Sequence, residues 1–240
     1  MPLDLILYLL LIVAVLIAMY AQIKVSLTYR RYSSVPAGAG KSASVVAREL
    51  LDGAGLTSVQ IERVSGSLTD HFDPSSNILR LSDSTYDNGS AAAVGVAAHE
   101  VGHAIQHAEG YLPIIIRGKL VPITNFASRA SWIFILIGAI LAAFAGIMGD
   151  FGMYILYAGI LLFAVTTLFQ LVTLPCEFNA SHRALVRLRE TGEYSNKELA
   201  GARKVLSAAA LTYVAALAVS LLQLLRLIAM FAGNGKNRRR

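Results

Sequence analysis

Four windows of this 240-residue chain are apolar for long enough to cross a lipid bilayer, which takes about 20 such residues in an α-helix. They run from Leu3 to Ile23, Ser131 to Gly149, Phe151 to Leu174 and Ala208 to Ala232. Inside hydrocarbon every backbone N–H and C=O must bond within the chain, so windows of this kind commit the protein to a helical membrane fold. Composition agrees, with 55% of residues hydrophobic, only 15% charged and a positive mean hydropathy, far from the balance of a soluble domain. Gln223 and Arg226 interrupt the fourth window, and Arg226 is an alternative end for a shorter span. The first window has no basic leader before it and runs into "AQIKVSLTYRRY", so it reads as a retained anchor and not a cleaved signal.

The formal net charge is +6, but no basic stripe with interleaved aromatics points to nucleic acid. Topology accounts for the charge better. Of 21 Lys and Arg, ten fall between the first and second windows and six between the third and fourth. Two loops on one side that carry the basic residues belong in the cytoplasm by the positive-inside rule. Four clean crossings would put the basic tail "GKNRRR" outside. With one cysteine, Cys176, there is no internal disulfide framework.

Between the windows the chain divides further. Residues 1–23 form the anchor. Residues 24–88 read as a cytoplasmic α+β subdomain, with an amphipathic helix burying Val45, Val46, Leu50 and Leu51, and strands in "SVQIERV" and "NILRLS" around the turn-rich "SGSLTDHFDPSS". Residues 89–110 hold one helix, capped by Ser90 and stopped at Gly110. Residues 111–130, with two prolines, Arg117 and Lys119, read as a broken segment lying at the membrane surface. A transmembrane hairpin over 131–174 turns at "GDFG", and Gly138, Ala142 and Gly146 give it a ridge of small residues for close helix packing. A cytoplasmic segment, 175–206, and a last span with the tail, 207–240, complete the order.

Two motifs mislead. "AGAGKSA" ends like a phosphate-binding loop at Gly40, Lys41 and Ser42, but Val35 stands where the pattern needs its first glycine. "LLDG", with Asp52, resembles the aspartate motif of site-2 intramembrane proteases, yet it precedes the histidine motif and closes a soluble helix.

The chemistry lies in "GVAAHEVGHAIQH". Residues four apart share a helix face, so His99 and His103 can aim at one metal ion, with Glu100 beside the open position as general base. At this chain's own usage of His and Glu the pattern arises by chance in roughly 0.3% of such chains, which favours the catalytic motif. His107 lies about 12 Å along the axis from His99 at 1.5 Å per residue, too far to share the ion, and reads as a solvated or interfacial side chain. A metzincin would need glycine and histidine three and six positions after His103, where Gln106 and Glu109 stand. A catalytic zinc takes three protein ligands. Glu109 faces away on the same helix, while Glu177, where the third span emerges on the cytoplasmic side, is the best-placed carboxylate; the alternative is a surface charge. His71, Asn179 and Arg183 are candidates for a transition-state electrophile.

"LTDHFDP", "ILRLS", "GVAAHEVGHAIQH" and "FQLVTLPCEFNASHRAL" resemble, in order, the YugP-like membrane zinc metallopeptidases. More distantly, the stretch from Glu177 to Ser181 is similar to the Glu-x-x-Ala-Asp motif of the HtpX and CaaX-type membrane proteases. The resemblance implies Glu177 as third zinc ligand. It also implies a partner for a ligand histidine at Ser181, where those families carry an aspartate. Either the hydroxyl serves, or Asp73, Asp83 or Asp87 takes that role. It further implies that Asn77, Ile78, Leu79, Arg80, Leu81 and Ser82 form an edge strand for an extended substrate, the alternative being an ordinary sheet strand.

The expected fold is therefore a mainly α membrane protein with about four transmembrane helices and a small α+β gluzincin-like cytoplasmic subdomain. The expected function is a Zn2+-dependent endopeptidase acting on membrane-associated proteins or peptides, in a bacterial inner membrane with its site facing the cytoplasm. The alternatives are a site-2-type intramembrane protease and a zinc-binding scaffold without turnover. Glu100 speaks against the scaffold, because a structural zinc site closes with a fourth protein ligand and has no use for a base.

Overall fold

The computed structural model describes residues 3–37, 40–144 and 146–232. In chain order the elements are α1 (Leu3–Tyr32), α2 (Ala43–Gly53), β1 (Gln60–Val64), β2 (His71–Asp73), β3 (Ile78–Ser82), α3 (Ala91–Ala108), α4 (Leu112–Ala142), α5 (Ile147–Glu190) and α6 (Asn196–Ala232). Helices α1, α4, α5 and α6 are each long and apolar enough to cross a membrane. The chain forms two compact units, one from residues 1–19, 116–173 and 213–240 and the other from 20–115 and 174–212.

In the first unit large apolar side chains face outward, among them Leu136, Tyr154 and Leu161, as they do where the solvent is lipid. Its interior is made by close approach of α4 and α5. A Cβ on Gly138 would strike the backbone of Leu156, one on Gly152 that of Ala142, and one on Gly159 would come within 2.7 Å of the Ile135 nitrogen. Several expectations change here. Gly146 is not part of the packing ridge; with φ of +68° it makes the left-handed turn between α4 and α5, a conformation glycine adopts at little cost. "GDFG" is accordingly helix and not turn: α5 starts at Ile147 with Asp150 in its first turn, where a carboxylate complements the helix dipole. The segment 111–130 is not broken, since α4 runs unbroken from Leu112 to Ala142. Pro113 sits in the first turn, where no N–H bond is lost, and Pro122 is carried inside the helix. α6 likewise continues past Gln223 and Arg226, and the Arg226 guanidinium lies 5.0 Å from the Tyr8 ring centroid. The tail over 233–240 lies outside the described residues.

The second unit is built around α3. Ser90 caps it, its Oγ accepting from the Ala93 N–H, which satisfies one of the donors a helix start leaves open. It ends at Ala108 with Glu109 as its C-cap, followed by Gly110 with φ of +66°. Buried residues lie on nearly every side of α3: its alanines and glycines let neighbours come close, and a Cβ on Gly95 would lie 3.0 Å from the Ala202 Cβ of α6. Helix α2 buries Ala43, Val46, Ala47, Leu50 and Leu51, the stripe expected from spacings of three and four. Val45, expected on that face, is exposed, because it falls a third of a turn off the stripe. Gly38 and Ala39 of the "AGAGKSA" loop are outside the described residues. Its Lys41 holds Glu49 and Glu193, each at 2.9 Å, so the lysine is committed to carboxylates. Asp52 pairs with Arg48 at 2.7 Å on the surface of α2, away from the histidine motif.

The sheet has the order β1-β3-β2, with β1 parallel and β2 antiparallel to β3. β3 is therefore the central strand, and the edge expected at residues 77–82 is not there. Leu79 and Leu81 are fully buried on the apolar face, and the strand's backbone is paired on both sides. Asn77 precedes the strand with φ of +57°, and Arg80 joins Glu62 and Asp73 on the opposite face. The second edge belongs to β2, a three-residue strand inside the stretch that reads as turn.

Candidate metal centre

His99 and His103 project from one face of α3 with their rings edge to face, centroids 4.7 Å apart. Glu177 reaches them from α5, 78 residues beyond His99. Its Oε2 lies 3.2 Å from His99 Nε2 and 3.7 Å from His103 Nε2. One ligand atom from each of the three residues falls within a set no wider than 4.8 Å. Close helix contact makes this reach feasible: a Cβ on Gly102 would lie 2.5 Å from the Ala180 carbonyl oxygen. Glu177 is 2% exposed and His103 8%.

The far nitrogens of both rings are held. Ser181 Oγ, one helical turn after Glu177, lies 3.1 Å from His99 Nδ1. Gln106 Oε1 lies 3.0 Å from His103 Nδ1. Gln106 is fully buried, and its Nε2 donates to the Cys176 carbonyl (2.8 Å) and to Asn179 Oδ1 (2.9 Å). Asn179 Oδ1 also accepts from Arg183 Nε at 2.7 Å, and Arg183 pairs with Glu109 at 2.7 Å. Asn179 and Arg183 are thus brought to the site through Gln106. Asp73, Asp83 and Asp87 are engaged elsewhere, the first with Ser75, Ser76 and Arg80, the other two with Arg63. Hydrogen bonds from Ser75, Ser76 and Arg80 hold the Asp73 carboxyl well below the usual carboxylate range.

Glu100 is buried, and its Oε2 accepts from the Phe72 N–H at 3.1 Å, so β2 fixes the carboxylate that follows His99. The Phe72 ring stacks obliquely near His107, centroids 5.7 Å apart, and His107 is not among the clustered ligands. Successive side chains of a strand point to opposite faces. His71 therefore projects with its cross-strand partner Arg80 on the face away from α3, exposed, its Nδ1 near the Thr69 carbonyl. That placement separates His71 from Glu100. Two participants were not singled out by sequence reasoning. The Phe72 N–H belongs to a strand too short to announce itself, and Gln106 was noted only as a mismatch to the metzincin spacing. A polar, uncharged side chain one turn past His103, outside the His-Glu-x-x-His pattern, was the signal available.

The donor set fits a cation. The Cys176 carbonyl can only accept, so the Gln106 amide must turn its Nε2 there and its Oε1 to His103. His103 Nδ1 then carries a proton, and a neutral ring in that tautomer presents its Nε2 lone pair to a buried carboxylate. Two acceptors facing one another out of water are costly unless a cation joins them. Two imidazole nitrogens and a carboxylate oxygen are the ligand set of His2Glu catalytic zinc sites.

Four helices long and apolar enough to cross a membrane, with a His-Glu-x-x-His helix and a carboxylate brought to it from a later helix, are the features a membrane metallopeptidase would have. Residues 7–232 match the family described as "putative neutral zinc metallopeptidase", and the chain belongs to that family. It is 43% identical over 226 residues to "Putative membrane protease YugP" of Bacillus subtilis (strain 168), covering 94% of this chain and 96% of that relative. No solved structure is matched by the chain.

Proposed function

We propose that this protein is a membrane-embedded zinc endopeptidase with a gluzincin-like site, hydrolysing peptide bonds of membrane-associated proteins or peptides. The observation that carries the reading is the convergence of His99, His103 and Glu177 within 4.8 Å directly beside a buried glutamate. His99 Nε2, His103 Nε2 and Glu177 hold the ion, and Ser181 and Gln106 steady the two rings from behind. A zinc ion bound there supplies the Lewis acidity that brings the pKa of water to about 7 and polarises a carbonyl. Glu100 is the general base: its carboxylate, oriented by the Phe72 N–H, takes a proton from the attacking water and delivers it to the leaving amine. The basic loops support a site that faces the cytoplasm, in a bacterial inner membrane.

The test uses the full chain purified in detergent. Zinc at one per chain and peptide hydrolysis that a chelator abolishes and zinc restores are the expected results. Hydrolysis indifferent to chelation would overturn the reading.

A further inference from the structure

We propose that Arg183, Asn179 and Gln106 form a directional chain of hydrogen bonds that sets the tautomer and orientation of His103, so that they are positioning residues for the metal site and not electrophiles. The inference rests on the zinc-site reading above.

The direction follows from which groups can only donate. A guanidinium has no acceptor, so the Arg183 Nε–H at 2.7 Å obliges Asn179 to present its Oδ1. That same oxygen then accepts from Gln106 at 2.9 Å, which obliges Gln106 to present its Nε2. The Cys176 carbonyl, also an acceptor only, imposes the same orientation from a second side at 2.8 Å. With both its N–H groups spent, the Gln106 amide has its oxygen left for His103 Nδ1, 3.0 Å away. A proton is thereby held on Nδ1, and a neutral ring in that tautomer offers its Nε2 lone pair toward Glu177. Every link is fixed by the one before it, and the chain begins at Arg183, which Glu109 anchors at 2.7 Å from the end of α3.

The arrangement explains three features that the ligands alone do not. It gives a fully buried amide a full set of partners. It accounts for the placement of Asn179 one turn before Arg183 on α5, each pointing back to α3. It also accounts for the Glu109 side chain, which takes no part in the ligand set and yet lies 2.7 Å from Arg183. On the His99 side a single hydroxyl, Ser181 Oγ, can donate or accept and so imposes no tautomer. The directional constraint falls on His103.

The experiment measures zinc affinity by chelator competition, using full-length chain in detergent with Glu100→Gln as the common background so that turnover plays no part. Gln106→Met keeps volume and removes the acceptor. It is expected to weaken zinc binding roughly 10-fold to 100-fold, the usual effect of losing an outer-shell partner. Asn179→Leu is expected to weaken it in the same direction, whereas Asn179→Asp, which keeps an oxygen facing both donors, holds the parent affinity or exceeds it. Should Gln106→Met fail to fold, the two Asn179 variants carry the test. Parent affinity in Gln106→Met, or equal weakening in Asn179→Asp and Asn179→Leu, overturns the chain. The control His103→Ala separates the two readings. If it loses zinc while Gln106→Met does not, only the positioning chain is wrong; if it keeps stoichiometric zinc, the metal site itself is wrong.

Discussion

Gly102 on α3 and Ala180 on α5 meet backbone to backbone: a Cβ on the glycine would stand 2.5 Å from the Ala180 carbonyl oxygen and 3.1 Å from its Cα. The contact lies one residue from His103 on one helix and three from Glu177 on the other, so the spacing of the ligands depends on it. Gly102→Ala gains about 1 kcal/mol of helix propensity, but the clash is with backbone and cannot be relieved by a side-chain rotation. Overpacking of this kind costs about 1–3 kcal/mol, and the shift falls on α5. We expect Gly102→Ala to fold with a lowered melting temperature and to hold zinc more weakly than the parent. An unchanged zinc affinity would show that α5 is not held by this contact.

Glu100→Gln keeps the shape of the side chain and its ability to accept from the Phe72 N–H, which lies 3.1 Å from Oε2. Only the base is lost. Zinc should remain at one per chain while the hydrolytic rate falls by about 10²-fold to 10⁴-fold. Full peptidase activity in a metal-loaded Glu100→Gln protein would remove Glu100 from its assigned role.

The elements most legible in the sequence were those with a long single-period signal. Apolar runs announced all four long helices, and Ser90 and Gly110 bracketed α3 where its cap and stop lie. Helix ends were less legible, because an apolar window stops where the side chains turn polar whereas the backbone does not. α5 runs on through Pro175 and a polar stretch to Glu190, and α4 begins well before its apolar window at Leu112. The sheet was misjudged for a different reason. β2 has three residues, too few for alternation to register, and without it β3 looks like an edge and His71 like a candidate electrophile. At the site, helical spacing alone brings His99 and His103 together. Glu177 was legible only from its place where the third span emerges and from the family resemblance, since no periodicity links residues on two helices that the chain joins through a third. Gln106 matters through its partners on α5, which no local pattern contains.

The orientation of the second unit has a direct chemical test. The native cysteine, Cys176, is fully buried, so an introduced thiol is the one an impermeant reagent would meet. Thr57 lies exposed in the turn before β1. The basic loops predict a cytoplasmic location, and Thr57→Cys should therefore stay unlabelled in intact cells and react after lysis. Labelling in intact cells would reverse the topology.

The last prediction concerns which side chains hold the ion. Glu177 is 2% exposed and lies within 3.7 Å of both ligand histidines, a place where a carboxylate is stable only against positive charge. Two imidazoles alone leave a zinc ion short of the three protein ligands that catalytic sites provide. Glu177→Ala should therefore lower zinc occupancy steeply in purified protein. His107, two turns along α3 from His99 and set against the Phe72 ring at 5.7 Å, stands outside the ligand cluster, so His107→Ala should keep occupancy near one per chain. Metal analysis of the two variants side by side decides the ligand set. Stoichiometric zinc in Glu177→Ala together with loss in His107→Ala would mean that the ion is held along α3 and not between α3 and α5.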